Sequence, residues 1–401
     1  MYKTPRIPNK LFEIDLKQFL NQNSTIDVQR FLLSNKTYEK QQRQWLAEQL
    51  IIYGKNKTKL PTFFNAGCWF TLKSFEQSSS EACAVFKKSY LKGNILLDLT
   101  GGLGVDDFAF CQSFNKVISI DIDENLNKLV TQNFKLLGFD NFERITSSAE
   151  EYLKNNEQHF DAIYIDADRR NEKQKSVLFE DASPDVLKIL PFCFKFSNKI
   201  LLKLSPLVDL KYCEQKLKNV KEIYVVEYQQ EVKEVLCLLE HNFSGNAKIK
   251  LAFVNNDGSA RIYESSVIVK LGSETPKAGH YLFEPAKAFR KAKLCEVYGA
   301  ELKLSKINKQ ATFLMGHKPI DDFIGRLYKI VMVDNYTNKS LKQFLQKQQI
   351  TSANIVSRDF ILSANEIEKR YKLTPDKDKN FLIFTTTSEG LKIFIYAERL
   401  N

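Results

Sequence analysis

The stretch ILLDLTGGLGVDDFAF, residues 95–110, leaves a chain few ways to fold. An apolar run stops on Asp98, glycines follow at 101, 102 and 104, and a second apolar run begins near Val105. Those are a strand, a tight loop and the start of a helix. Glycine lets such a loop turn sharply and lets its backbone approach a ligand, while the first N–H groups of the helix remain free to bind one. Downstream, KVISIDID, AIYIDAD, KILLKLS and IYVVEY are further short apolar runs, and amphipathic segments lie between the first four of the five. Strands alternating with helices imply a parallel sheet with right-handed crossovers.

Other textures flank this region. Residues 1–80 show helical spacing in DLKQFLNQN, VQRFLLSN and YEKQQRQWLAEQLIIYG, the last with Trp45, Leu46, Leu50 and Ile51 on one stripe. Pro61 breaks the pattern before EACAVFKKSYLKG resumes it. After the parallel region, IKLAFV and ARIYESSVIVKL read as antiparallel strands, followed by the linker LGSETPKAGH. A Lys-rich α+β module opens near Tyr281 with a helix in YLFEPAKAFRKAKLCEVYG and closes with a hairpin about Ser388-Glu389-Gly390. The expected divisions are 1–80, 81–275 and 276–401.

Asp98, set before the loop, suits a ligand with a positively charged amino group, and the spacing is not the G-x-G-x-x-G of a pyrophosphate site. The second strand ends on Asp121, where an acid receives ribose hydroxyls. A nucleoside with an amino-acid tail fits both, and that describes S-adenosylmethionine. Over the 401 residues, 59 Lys and Arg exceed 48 Asp and Glu, a formal charge of +11. That surplus favours an anionic partner. The seven cysteines contain no CxxC pair, which points to reduced thiols in a cytoplasm. No apolar run reaches the ~18 residues of a membrane span. His159, His241, His280 and His317 are spaced apart from one another and from acids, so no metal site is expected.

The motifs DLTGGLGVD, IDADRR and KLSPLVD, with EQSSSE, EVKEVL, YLFEPAKAFRKA, IGRLYKI and NIVSRDF, together resemble the bacterial class I methyltransferase family with a C-terminal THUMP-like domain. The resemblance implies an α/β Rossmann-like sheet, preceded by helices and followed by a small α+β domain, and it implies S-adenosylmethionine as donor. By motif, Asp98, Gly101, Gly102 and Gly104 match the donor loop and Asp121 the ribose acid. Ser148 stands where many such enzymes carry an acid on the adenine amino group. Glu76 and Gln77 form a candidate flap, with Ser78 to Ser80 alternatively capping a helix.

Ligands of open parallel sheets sit beyond the carboxyl ends of the strands, at the switch point. IYIDADRR puts Asp166 there as the residue that orients an acceptor, with Asp168 just after it. Arg169 and Arg170 at the rim could grip a phosphate or pair with the aspartates. Ser205, Pro206 and Asp209 of KLSPLVD face the same pocket, or form a plain strand-to-helix turn. Ala167 replaces the proline that many nucleic-acid methyltransferases carry, which argues against an adenine-amino acceptor. Carbon methylation of a pyrimidine needs a cysteine nucleophile, and Cys193 sits in an apolar context away from the strand ends. An RNA partner, suggested by the THUMP-like label, would meet Lys287, Arg290, Lys291 and Lys293 on one helix. Arg326, Lys329, Arg358 and Arg370 add charge, and Phe289 and Phe360 could stack on bases. A methyltransferase of proteins or small molecules, and a non-catalytic RNA-binding protein, are the alternatives.

Overall fold

The computed structural model describes residues 4–34, 36–55, 58–169, 179, 182–265, 270–376 and 380–400. The chain divides into two compact units, Met1–Gln229 with Lys233–Ile262, and Gln230–Val232 with Tyr263–Asn401.

The first unit opens with helices α1 (Leu16–Gln22), α2 (Val28–Ser34), α3 (Lys40–Lys55), α4 (Pro61–Ala66), α5 (Leu72–Gln77) and α6 (Glu81–Lys88). Pro61 starts α4 instead of merely interrupting a helix, because a first-turn N–H has no partner to lose. On α3 the buried stripe runs through Trp45, Leu46 and Ile52, while Ile51 is exposed, one position off the expected face. Buried Gln49 on the same helix accepts the Phe70 N–H at 3.0 Å and donates to the Phe70 carbonyl at 2.9 Å. These helices share one hydrophobic cluster with the sheet that follows, through Trp69, Phe63, Phe108 and Phe134 among others.

That sheet comprises β1 (Ile95–Asp98), β2 (Lys116–Asp121), β3 (Phe142–Thr146), β4 (Ala162–Asp166), β7 (Lys199–Leu204), β8 (Val220–Tyr228), β9 (Glu231–Glu240), β10 (Lys248–Val254) and β11 (Ala260–Glu264). Between them run α7 (Val105–Phe110), α8 (Glu124–Leu137), α9 (Ala149–Lys154), α10 (Val186–Phe196) and α11 (Leu210–Lys216), and the two-stranded β5 (Asp168–Arg169) and β6 (Ala182–Ser183). The strand order is β11-β10-β8-β9-β7-β4-β1-β2-β3. β3, β2, β1, β4 and β7 are mutually parallel, and β9 pairs antiparallel with β7. The order reverses between β1 and β4, so ligands belong at the carboxyl ends of those two strands. One expectation fails here: β10, the IKLAFV strand, pairs parallel with β8. Its apolar run carries no directional information, since a buried strand looks the same either way.

The second unit is a seven-stranded sheet, ordered β13-β14-β12-β15-β18-β17-β16. Its elements are β12 (Tyr281–Pro285), α12 (Lys287–Ala292), α13 (Cys295–Glu301), β13 (Ser305–Lys306), β14 (Leu314–Gly316), β15 (Gly325–Asn335), α14 (Asn338–Lys347), β16 (Asn354–Ser357), α15 (Ala364–Tyr371), β17 (Asn380–Thr386) and β18 (Lys392–Arg399). It opens with a strand where a helix was expected, because YLFEP is short, apolar and closed by Pro285. β17 and β18 form the expected antiparallel hairpin. Alternation along β17 sends Phe381 and Ile383 into one buried cluster and Leu382 and Phe384 into another beneath α14 and α15, so both faces of the sheet are covered.

Candidate active site

The glycine loop is held from below by charges. Asp98 is 1% exposed, and its Oδ1 accepts from the Thr100 N–H at 2.7 Å and the Thr100 hydroxyl at 3.1 Å. Beside it lies Asp107 of α7, whose Oδ2 accepts from the Ser119 hydroxyl at 2.6 Å. Burial, then the Asp107 charge, push the Asp98 carboxyl well above its ordinary range, and burial holds Asp107 at about 6. Two acids thus share one buried pocket beneath the loop, and both carboxyls are raised there. Arg144 of β3, 1% exposed, completes the floor: it donates to Asn127 Oδ1 at 2.7 Å, Ser119 Oγ at 2.7 Å and the Gly102 carbonyl at 2.6 Å. A Cβ on Gly101 would lie 1.8 Å from Arg144 Nη1, so this glycine makes room for the guanidinium. Gly102 takes φ 49° with no described atom closer than 3.8 Å to its Cβ position, and its N–H donates to Asp121 Oδ2 at 3.1 Å. Asp121 also accepts from the Asp123 N–H at 2.9 Å and keeps its side chain partly exposed. Asp98 thus braces the loop from the interior, while Gly102 and the partly exposed Asp121 lie on its outer side.

A second cluster lies behind the end of β4. Register places Asp166 opposite Lys203 of β7, and the ammonium donates to Asp166 Oδ2 at 2.5 Å. Burial would lower the Lys203 pKa, but Asp166, then Asp106 and Glu234, raise it, so the lysine is cationic. Fully buried Lys87 of α6 binds Glu234 at 2.8 Å and Asp106 at 3.0 Å. Asp106 Oδ2 also accepts from the Tyr164 hydroxyl at 2.7 Å and the Ser79 hydroxyl at 3.1 Å. These opposing charges overcome burial and hold the Asp106 carboxyl below its usual range. The Asp166 N–H donates to Thr100 Oγ1 at 2.6 Å, and Thr100 donates on to Asp98, which ties the acceptor side to the glycine loop. Lys59 donates to the Phe75 carbonyl at 2.5 Å; burial and then nearby Lys203 lower it to about 8.

The other expected residues are placed as follows. Asp168 and Arg169 form β5, which pairs with β6 by a backbone ladder, and Arg170 lies outside the described residues. Ser205 Oγ accepts from the Leu207 N–H at 3.3 Å, Pro206 lies in that turn, and Asp209 caps α11 through the Tyr212 N–H at 3.2 Å. Ser148 caps α9, accepting from the Glu151 N–H at 3.1 Å. Glu76 and Gln77 end α5, exposed, and Ser80 caps α6. All seven cysteines are buried, Cys193 with its thiol raised to about 12 by burial, so none is poised as a nucleophile.

Sequence reasoning missed Lys87, Tyr164, Arg144 and Glu234 as site residues. Arg144 and Lys203 carried a signal, a cation inside an otherwise strand-like run, because such a charge must find a partner when the strand is buried. Lys87 carried none, since it sits beside a second lysine, Lys88, in an ordinary helical run.

In the second unit, three of the expected RNA-facing arginines converge on an acid. Arg290 and Arg358 each lie 3.1 Å from Glu284 Oε1, and Arg326 lies 3.8 Å from Oε2. Glu284 itself is 4% exposed. Lys287 is paired with Glu231, Lys291 is half-buried, and Lys293 is exposed at the left-handed end of α12. Phe289 is fully buried and stacked on Tyr298 at 4.1 Å, so it is unavailable to a base. Half-buried Phe360 packs edge-on against Tyr336 at 5.0 Å. The histidines also depart from expectation: His280 and His317 meet in space, with Glu274 beside them, because strand pairing joins segments that are distant in the chain.

Comparison with known proteins agrees with this architecture. Residues 325–399 match the THUMP domain-like family. An uncharacterized S-adenosylmethionine-dependent methyltransferase of Mycobacterium tuberculosis, present in strains H37Rv and CDC 1551, is 21% identical over 82% of this chain and 89% of its own length. The crystal structure of a candidate methyltransferase from Porphyromonas gingivalis W83 superposes with a TM-score of 0.84 at 24% identity, over 99% of this chain and 100% of that one. The methyltransferase-like α/β fold and the THUMP-like C-terminal domain implied by the sequence motifs are borne out.

Proposed function

We propose that the chain is an S-adenosylmethionine-dependent methyltransferase whose acceptor is RNA. The observation that carries the reading is the glycine loop, where no described atom comes nearer than 3.8 Å to the Gly102 Cβ position and the Gly102 N–H donates to the partly exposed Asp121. A nucleoside fits there, with its ribose hydroxyls on the free lone pairs of Asp121 and its tail along the loop toward Asp166. The name of the mycobacterial relative, which aligns with most of both chains, supports the same donor.

S-adenosylmethionine supplies an electrophilic methyl group on a sulfonium. The acceptor's lone pair forms the new bond as the carbon–sulfur bond breaks, with the electron pair passing to sulfur. Asp166 orients the acceptor N–H or O–H through the carboxylate oxygen that Lys203 leaves available, and the acceptor's proton leaves along that hydrogen bond to solvent. Lys203 fixes the direction of that carboxylate, so Asp166 acts by aiming the acceptor. Arg169 and Arg170 hold the acceptor's phosphate. The formal charge of +11 and the THUMP-like module support RNA as that acceptor.

The test incubates purified protein with methyl-labelled donor and RNA from cells lacking it. Label enters RNA with the wild-type chain and is lost by about a hundredfold or more with Asp166→Asn, while donor binding measured by calorimetry stays within about threefold. Donor binding without labelled RNA would overturn the acceptor assignment, and absence of donor binding would overturn both halves.

A further inference from the structure

We infer that Glu274, His280 and His317 form a binding site for a divalent transition metal, with Zn2+ as the ion that fits best. One ligand atom from each residue lies within 4.8 Å of the others. The Glu274 Oε1 to His317 Nε2 distance is 3.6 Å. Two ligands of a tetrahedral ion with bonds near 2.1 Å stand about 3.4 Å apart. That pair is already spaced for coordination, and side-chain rotation closes the rest.

Three backbone segments deliver these side chains, and each is pinned by main-chain hydrogen bonds. Lys306 of β13 accepts from the Glu274 N–H at 3.0 Å and donates to the Gly272 carbonyl at 2.8 Å, which fixes the Glu274 segment. His280 precedes β12, with its carbonyl accepting from the Ile330 N–H at 2.9 Å. His317 follows β14, and the antiparallel register of β12 and β14, Tyr281 opposite Gly316, puts the two histidines next to each other across the strands. Their rings meet edge to face at 4.6 Å. The Nδ1 of His280 lies 3.2 Å from Met315 Sδ, and in the tautomer whose Nδ1–H points at the thioether, Nε2 keeps the lone pair a metal needs. Two imidazoles and one carboxylate are a borderline-soft donor set, suited to Zn2+ and poor for Mg2+ or Ca2+, which prefer oxygen. With three protein ligands at a surface, water completes the shell. The ion would fasten the segment 272–280 to the sheet of the second unit.

The test uses the full chain without a polyhistidine tag, stripped with chelator and titrated with ZnCl2 against a fluorescent zinc indicator. One equivalent binds the wild-type chain. Loss of an outer-sphere partner alone weakens metal sites about 10–100-fold, so His317→Ala and Glu274→Gln weaken binding by about a hundredfold or more. His317 is 66% exposed, so its variant keeps the fold, which an unchanged melting curve of the metal-free protein verifies. His159→Ala, in the other unit, binds as wild type. Zn2+ raises the melting temperature of the wild-type chain but not of His317→Ala. No stoichiometric binding, or binding unchanged in His317→Ala, overturns the site.

Discussion

Asp106 and Asp107 are consecutive in the first turn of α7, both buried, and their carboxyl groups are driven in opposite directions. Asp106 points into a cluster of cations and hydroxyls, where Lys87, Tyr164 and Ser79 reach it, and it is held ionised. Asp107 faces a second acid, Asp98, with Arg144 at 3.4 Å and one serine hydroxyl, and burial dominates. One residue turns a side chain by about 100° on a helix, enough to move it from the acceptor side to the underside of the glycine loop. The lesson is that burial does not set the charge state of an acid. The neighbours decide it, and here a lowered carboxyl and a raised one hang from the same turn.

The largest break in that comparison comes from the charged side. Lys87→Met leaves Asp106 and Glu234 facing each other in the interior without their shared cation. Removing one partner of a buried ion pair costs about 3–5 kcal/mol, so the urea midpoint falls accordingly with an unchanged slope. Adding Glu234→Gln to that variant recovers part of the loss, because one uncompensated charge disappears. A midpoint within error of wild type would show that the cluster is not needed for stability.

The raised side breaks by geometry. Gly101→Ala puts a methyl group 1.8 Å from the Arg144 guanidinium and 2.2 Å from the Ser119 hydroxyl. Overpacking of this kind costs about 1–3 kcal/mol, and the part that deforms the loop weakens S-adenosylmethionine binding by about tenfold in calorimetry. Gly54→Ala is the control: no described atom lies within 4 Å of its Cβ position in α3, and helix propensity favours the alanine. Equal donor affinities in the two variants would dissociate Gly101 from the donor site.

This contrast also marks how far the sequence could be read. The strand, loop and helix of residues 95–110 fall where the apolar runs and glycines place them, since local chemistry decides each. The Gly101 requirement was legible as a glycine, but its cause was not: Arg144 arrives from β3, through pairing that no local pattern encodes. Asp98 and Asp121 were visible as strand-end acids, yet only the fold shows one to be walled in and the other open. Lys87, Glu234 and Asp106 come from three separate elements, and each reads alone as an ordinary surface charge. In the second unit, Arg290, Arg326 and Arg358 looked like a phosphate-binding face until Glu284, inside an apolar strand, drew them together.

The raised carboxyl also has a pH signature. Asp107 is raised from its ordinary value to about 6, so the folded chain binds more protons than the unfolded one between roughly pH 4 and 6. Stability contributed by this group is therefore greatest below that window and is lost as pH rises through it. Asp107→Asn removes the titration. The difference in unfolding free energy, wild type minus variant, should fall by on the order of 1–2 kcal/mol from pH 4 to pH 6.5. A flat or rising difference would show that the Asp107 carboxyl is not raised in the folded chain.

The smallest effect separates fixed charges of the interior from those of the surface. Lys287 pairs with Glu231 in the second unit, both substantially exposed, and surface pairs of this kind contribute only a few tenths of a kcal/mol, ~0.2–1 at most. Lys287→Ala should therefore leave the melting curve almost unmoved, in contrast to Lys87→Met. Its consequence lies in binding. If the α12 face meets a phosphate backbone, removing one cation lowers the dependence of log affinity on log salt by about 1, uniformly across RNA sequences. Filter binding across a salt series measures that slope. An unchanged slope means that Glu231 already neutralises Lys287 in the complex, and the phosphate contacts then pass to the arginines gathered on Glu284, which carry two more positive charges than their shared acid can balance.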